Sequence, residues 1–192
     1  MTKGRMEAFS DGVIAIIITV MVLGLRVPAR PDLAALRPLV PQLLSYALSF
    51  VLLGIYWSNH HHLLQAVQVV DGRVLWANLH LLFWLSLVPV ATAWMGPNHR
   101  EAVPVALYGT ILLLASVAYY GLTRALISAH GTGSQLAAAV GRDVKGKVST
   151  AIYAVAIAAA FAAWWLAVGL YVLVACIWFV PDRRIERTLT RR

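Results

Sequence analysis

Charged residues are scarce in this chain of 192 residues, and their scarcity excludes most soluble folds. Only 12% of the residues are charged and 60% are hydrophobic, whereas a soluble domain is usually about 25% charged and about 45–50% apolar. Cysteine is rarer still, because Cys176 is the single one and no disulfide can form within the chain. The composition indicates an integral membrane protein.

Motifs that carry enzyme chemistry are also missing from the sequence. The chain has no G-x-S-x-G nucleophile elbow, no P-loop, no H-E-x-x-H zinc motif and no carboxylate pair at catalytic spacing. We therefore expect a protein that is not an enzyme, with no cofactor and no resident metal ion.

Acidic residues are fewer than basic residues in this chain. The chain has 16 Lys and Arg residues against 8 Asp and Glu, a net charge of +8. A strongly basic protein can bind nucleic acid, but here the basic residues are scattered between apolar runs and in a short tail. This arrangement favours membrane lipids as partners, with basic side chains as cytoplasmic anchors and contacts for anionic lipid. We expect no nucleic acid partner.

Apolar segments of membrane-spanning length recur along the chain. A spanning helix needs about 20 mostly apolar residues. The stretch Val148–Val180 has 33 residues and no charge, too many for one span and few for two, and we divide it near Trp165. The sequence then predicts an all-α membrane protein with six spans and a basic cytoplasmic tail, at about residues 6–25, 39–59, 74–95, 103–126, 148–164, 166–180 and 181–192.

The distribution of Lys and Arg predicts the orientation. With six spans, 12 of these residues lie on the side of the two termini and 4 lie on the other side, so the positive-inside rule places both termini in the cytoplasm. One long tilted helix over 148–180 would give five spans and divide the residues 7 to 9, with no bias. A cleaved signal peptide is a competing interpretation of the first span, but the triplet Phe9-Ser10-Asp11, with its charged aspartate, does not belong in one.

The first span has two different faces. At 100° per residue, one stripe lies within about 60° of Ile16, and it consists of Phe9, Gly12, Ile16, Thr19, Val20 and Leu23. Ser10 lies about 120° away and Asp11 about 140° away. In the simpler interpretation the stripe faces lipid. In the other it faces a symmetry axis shared with further subunits, where rings of Ile16, Val20 and Leu23 would form a hydrophobic constriction.

Polar side chains from three spans are predicted at the same depth as Asp11. An Asp or Arg at the bilayer centre costs about 2.5–3.5 kcal/mol on insertion scales, so these groups need partners. The topology places a set of them near the cytoplasmic ends of the first three spans: Arg5, Ser10, Asp11, Trp57, His60, Asn78 and, one turn inside, His80. We expect a hydrogen-bonded network that locks three helices together and fixes the rotation of the first.

Three adjacent histidines follow the second span. Side chains at His60, His61 and His62 point 100° apart on a helix, so they cannot all bind one ion. We interpret them as structural or network residues. A pH-sensing role and a metal site completed by His80 remain alternatives at this stage.

The segment RMEAFSDGVIAIIITVMVL resembles the signature of the transmembrane protein 175 family, potassium channels of animal lysosomes with shorter bacterial relatives. The family pattern R-x-x-x-F-S-D is matched by Arg5, Phe9, Ser10 and Asp11. The exit of the second span, YWSNHHHLLQ, is similar to the family's W-x-x-H, and Asn78 and Pro89 match a third-span pattern. The resemblance covers about residues 5–95, and the six-span length fits the bacterial type.

The resemblance implies a homotetramer in a bacterial inner membrane, with the first helix lining a central pore for K⁺. It implies that side chains form the constriction in place of a carbonyl filter, and the sequence has no TVGYG. Carried over by position, the constriction residues are Ile16, Thr19, Val20 and Leu23. The motif residues Arg5, Phe9, Ser10 and Asp11, together with Trp57, His60 and Asn78, are then expected in the helix-locking network.

Three other functions remain open from the residues alone. The first is a proton-coupled secondary transporter that uses Asp11 and His60 as a relay. The second is an intramembrane metalloenzyme on the histidines, and the third is a structural membrane protein without flux.

Overall fold

The computed structural model describes residues 2–67, 69–131, 134–141 and 143–179. In these residues the chain forms helices and no strand. The predicted tail at 181–192 lies outside them. A 3-10 helix covers Leu33–Leu39, and the α-helices in chain order are α1 Lys3–Leu23, α2 Val40–Gln65, α3 Gly72–Ser86, α4 Val88–Met95, α5 Ala102–His130, α6 Gln135–Val140, α7 Val144–Ala160 and α8 Trp164–Phe179.

Six helices build the bundle in the described part of the chain, if α3 and α4 are counted as one interrupted helix and the six-residue α6 is left out. Four segments are long and apolar enough to cross a membrane, and they are Lys3–Leu23, Leu33–Gln65, Gly72–Met95 and Ala102–His130. The apolar helix Trp164–Phe179 is shorter. The all-α, six-helix prediction is confirmed.

The interruption between α3 and α4 lies at Leu87. Pro89 stands in the first turn of α4, and a proline has no backbone N–H to donate to the carbonyl four residues earlier. The third span therefore consists of two helical pieces, which the sequence prediction treated as one.

Several helices extend beyond the predicted spans. α2 runs on through all three histidines to Gln65 and α5 runs to His130, whereas their spans were predicted to end near residues 59 and 126. An apolar run predicts the part of a helix that lies in the hydrocarbon core of a membrane. The backbone hydrogen bonds of the helix continue into the polar residues beside that run. Near the predicted division at Trp165, α7 ends at Ala160 and α8 begins at Trp164.

Polar contacts show which helix ends lie together. Lys3 Nζ donates to the Gln65 carbonyl, and the Val69 N–H donates to His130 Nε2. At α7 and α8, Trp178 Nε1 donates to Ser149 Oγ. The start of α1, the ends of α2 and α5, the start of α7 and the end of α8 thus share one end of the bundle, which is called the N-terminal end below.

Helix α5 packs against α3, α4, α7 and α8 in the interior. Gly109 allows its contact with α8, because a Cβ there would clash with the phenol of Tyr171, and the Tyr171 hydroxyl donates to the Val105 carbonyl. Helix α1 packs on α2, α3 and α4 through one side only. Its other side is therefore uncovered in the single chain.

Candidate functional site

The two faces of α1 differ sharply in exposure. Its buried face repeats at helical spacing and consists of Met6, Ser10, Ile14, Ile17 and Met21. On the opposite face Ile16 is 62% exposed and Leu23 is 82% exposed, and Phe9 and Val20 are also exposed. The predicted stripe is thus the uncovered face of α1.

Three polar residues of the predicted network are joined inside the bundle. Asn78 Nδ2 on α3 donates to Ser10 Oγ on α1 at 2.9 Å, and Asn78 Oδ1 lies 2.8 Å from His60 Nε2 on α2. The Ser10 hydroxyl donates to the Met6 carbonyl at 2.8 Å. All of Ser10, His60 and Asn78 are buried. A buried network of hydrogen-bonded side chains from three helices restricts the rotation of each helix.

Asp11 makes a separate contact at the edge of this cluster. Its Oδ1 accepts a hydrogen bond from Trp57 Nε1 on α2 at 3.0 Å. One turn away, His61 Nδ1 lies 3.1 Å from Glu7 Oε1, a pair that sequence reasoning missed although Glu7 and Asp11 are four residues apart on one helix face. Together with the buried cluster, these contacts fasten the N-terminal half of α1 to α2 and α3.

Three residues that sequence reasoning placed near the network lie elsewhere. Arg5 and Phe9 are exposed, and neither joins these hydrogen bonds in the described part of the single chain. At Arg5 this follows from helical period, since Arg5 lies about 20° from Ile16 on the exposed stripe. His80 accepts a hydrogen bond from Trp84 Nε1 on the same helix at 2.8 Å.

The other end of α1 has an anchor that the sequence did not reveal. Gln42 Nε2, in the first turn of α2, donates to the carbonyl of Gly24 at 2.8 Å. Gly24 follows the last residue of α1 and leaves that carbonyl without a helical partner, a group that needs an external donor. The α1 helix is therefore tied to its neighbours at both ends through the face opposite the stripe.

A second buried polar cluster was also missed. Ser49 Oγ lies 2.7 Å from Thr92 Oγ1 and 2.9 Å from the Tyr108 hydroxyl, so that α2, α4 and α5 are joined. The signal that could have revealed it is the pair Ser45 and Ser49, two hydroxyls one turn apart in an apolar span. This cluster makes α2 a rigid support for α1.

The three adjacent histidines point in different directions. His60 contacts Asn78, while His61 contacts Glu7 and Gln65. Within the residues that the structure describes, no group of three or more His, Cys, Asp or Glu side chains could hold a metal ion.

Thr19 is the one hydroxyl on the exposed stripe. Its Oγ1 donates to the Ile16 carbonyl at 2.9 Å, which uses the proton inside the helix and leaves the oxygen lone pairs as acceptors. An oxygen in this state can contact a cation.

Comparisons with known proteins agree with this geometry. The model of the family described as endosomal/lysosomal potassium channel TMEM175 matches residues 5–89, which include α1 from Arg5 onward and the whole of α2 and α3. A protein named as a potassium channel, from Chryseobacterium sp. (strain P1-3), is 51% identical over 98% of this chain and 98% of its own. The chain belongs to the TMEM175 family.

A solved structure of a TMEM175 relative matches the whole bundle. It is described as a lysosomal potassium-selective channel TMEM175 homolog from Chamaesiphon minutus, and it superposes with a TM-score of 0.80 at 29% identity, covering 94% of this chain and 97% of that one. A mouse relative named as an endosomal/lysosomal proton channel is 31% identical over 66% of this chain but only 29% of its own length. TMEM175 proteins are channels, so this chain is a multi-pass membrane protein and an ion channel, not an enzyme.

Proposed function

We propose that the chain forms a homotetrameric, potassium-permeable cation channel in a bacterial inner membrane. In the tetramer, α1 from each subunit lines a central pore. The observation that carries the proposal is the uncovered stripe of α1, which ends with Leu23 at 82% exposure while the opposite face is anchored at both ends. The bacterial relatives named as potassium channels support K⁺ as the permeant ion.

Rotational symmetry is a physical requirement of this function. One helix presents a stripe and cannot enclose a path, so several copies must place the same stripe around one axis. The anchors of α1 suit this role, because a helix that lines a symmetric pore must hold one rotation in every subunit. The Ser10–Asn78–His60 cluster, the Asp11–Trp57 bond and the Gln42–Gly24 bond all act on the face that turns away from the axis.

Ile16, Val20 and Leu23 form the hydrophobic constriction in this proposal. Their rings lie about one turn apart along α1 and make a narrow apolar path that gates by dewetting. Thr19 contributes a ring of oxygen acceptors between them, where K⁺ exchanges part of its hydration shell for hydroxyl oxygens. No resident cofactor is needed, since the permeating ion is the only small ligand.

Arg5 and Phe9 continue the same stripe toward the N-terminal end. The charge asymmetry of the sequence supports a cytoplasmic position for this end, with anionic lipids as contacts for the basic residues. The place of Arg5 and Phe9 in the helix-locking network stays a prediction, and it requires contacts between subunits.

The transporter hypothesis needs a relay between Asp11 and His60. In the structure these residues belong to different contacts, because Asp11 accepts from Trp57 and His60 pairs with Asn78. The arrangement supports positioning of α1 more directly than proton transfer.

Recording of purified protein in planar bilayers under a K⁺ gradient tests the proposal. We expect current whose reversal potential follows K⁺, and we expect Ile16→Asn to raise conductance and weaken selectivity because it wets the constriction. Val155→Asn is the matched control, since Val155 is 60% exposed on α7, away from α1. Absence of current, or equal behaviour of the two variants and the parent, would overturn the proposal.

A further inference from the structure

A cavity of about 360 Å³ opens among α2, α5, α7 and α8, on the side of α2 away from α1. Its volume lies in the range of ligand pockets, about 300–1,000 Å³. The walls include Leu52, Ile55, Tyr56, Val117, Tyr153 and Trp178. No residue of α1 lines it, so this cavity is separate from the stripe and the anchors described above.

The polar groups in the walls are largely satisfied by one another. Ser116 Oγ and Thr150 Oγ1 lie 2.7 Å apart, and the Tyr119 hydroxyl donates to the Asn59 carbonyl at 3.1 Å. Trp178 Nε1 donates to Ser149 Oγ at 2.8 Å. Walls that have used their hydrogen bonds among themselves offer mostly apolar surface, and such a cavity suits a hydrocarbon chain better than a polar solute.

The rim of the cavity, unlike its walls, is charged. Asp143, which caps α7, lines the rim together with Gly146 and Lys147 of the first turn, at the N-terminal end of the bundle. The Asp143 carboxylate caps α7 by accepting from the Gly146 N–H at 3.2 Å. A second cation is close by, because Lys145 Nζ lies 5.8 Å from the centre of the Trp178 ring. Basic pockets between helices near the membrane surface bind anionic lipid headgroups.

We propose that this cavity is a binding site for one acyl chain of an anionic phospholipid, with the phosphate of the headgroup at Lys147. The apolar walls contact the acyl chain and the rim contacts the charged headgroup. A phospholipid in a membrane has the same order, with the headgroup at the surface and the acyl chain in the interior. Tyr56 and Tyr153 also line the cavity, and neither hydroxyl has a hydrogen-bond partner in the described residues. They are available to the ester oxygens of the lipid.

The site touches the helix that anchors α1. Ile55, Tyr56 and Asn59 face the cavity from the same two turns of α2 that carry Trp57 and His60. A bound chain therefore packs directly behind the contacts that hold α1. Binding itself requires only a membrane protein with this fold, so it is measured without current and does not depend on the proposed function.

Photolabelling of the full-length protein in nanodiscs tests the proposal. The probe is a phosphatidylglycerol analogue with a diazirine at the end of one acyl chain, and a phosphatidylcholine analogue with the same chain is the headgroup control. We expect peptide mapping to find the label on α2 and α7 near Leu52 and Tyr153, with displacement by excess phosphatidylglycerol. Label spread evenly over the outer surface of the bundle, or equal labelling by the two probes, would overturn the proposal.

Two pairs of variants sharpen the result. Ile55→Trp fills the cavity and lowers the labelling to background, whereas Val51→Trp, one turn earlier on α2 and outside the cavity, leaves it unchanged. Lys147→Gln lowers the affinity for the probe about fivefold, the effect of one lysine near a membrane surface, whereas Arg124→Gln on α5 at the same end does not. Lys147 is exposed, so its replacement leaves the interior intact. Parent-like labelling of both Ile55→Trp and Lys147→Gln contradicts the site.

Discussion

The side-chain amide of Asn78 donates a hydrogen bond to the hydroxyl of Ser10 at 2.9 Å, in a buried contact between α3 and α1. The other atom of the same amide lies 2.8 Å from a ring nitrogen of His60 on α2. The side chain of Asn78 thus links α3 to both α1 and α2. Because Ser10 lies opposite the exposed stripe, this contact determines which residues α1 presents to its surroundings.

Replacement of Asn78 by leucine keeps the volume and removes both hydrogen bonds. Buried hydrogen bonds in membrane proteins contribute about 0.6 kcal/mol on average and up to about 1.7 kcal/mol, and here the His60 ring nitrogen loses its partner while Ser10 keeps its bond to the Met6 carbonyl. We expect the free energy of unfolding in micelles to fall by about 1–3 kcal/mol. A denaturant titration of the purified variant measures it.

Asn59→Leu is the matched control for this variant. The Asn59 amide donates to the Ile55 carbonyl within its own helix at 2.9 Å, so its loss disconnects no helices. If the two leucine variants lose the same stability, Asn78 is not a link between helices.

Asp11→Asn separates a positioning role from proton transfer. An asparagine keeps an oxygen that can accept from Trp57 Nε1, and we expect current to persist with a loss of stability below about 1 kcal/mol. Asp11→Leu removes the acceptor and lowers stability further. A carboxylate that relays protons would instead make Asp11→Asn as inactive as Asp11→Leu in bilayer recordings.

Thr19→Val tests the oxygen ring of the proposed pore. Valine has the same shape and no lone pairs, so we expect the preference for K⁺ over Na⁺ to fall, seen as a reversal potential closer to zero with K⁺ on one side and Na⁺ on the other. Thr110→Val on α5 is the control, because Thr110 makes the same kind of bond to the Ala106 carbonyl at 2.9 Å. A parent-like reversal potential in Thr19→Val would show that the hydroxyl does not contact the ion.

Helical period predicted the parts of the fold that depend on local pattern. The exposed face of α1 at Ile16 and Leu23 follows from spacing alone, and the six helices follow from the lengths of the apolar runs. Ser10, His60 and Asn78 were placed at one depth by topology, and the structure adds the hydrogen bonds between them.

What the sequence could not predict depends on contacts between distant helices. The Gln42 amide reaches the Gly24 carbonyl only because α1 and α2 form a hairpin of particular geometry. The Ser49–Thr92 contact likewise joins two residues that are 43 positions apart, on α2 and α4. Arg5 shows the limit of grouping by depth, since its angle puts it on the exposed stripe, and its place in the network stays a prediction.

Cysteine modification during current recording tests the central claim, that the exposed stripe of α1 lines the ion path. Cys176 is exposed and is the single cysteine of the chain, so Cys176→Ser provides the background. Leu23→Cys and, as a control, Val155→Cys are then treated from both sides of a bilayer with a charged, membrane-impermeant thiosulfonate. We predict that the reagent reduces the current through Leu23→Cys and leaves the current through Val155→Cys unchanged. Equal responses of the two variants would contradict it, because Leu23 would then be no nearer to the ion path than Val155.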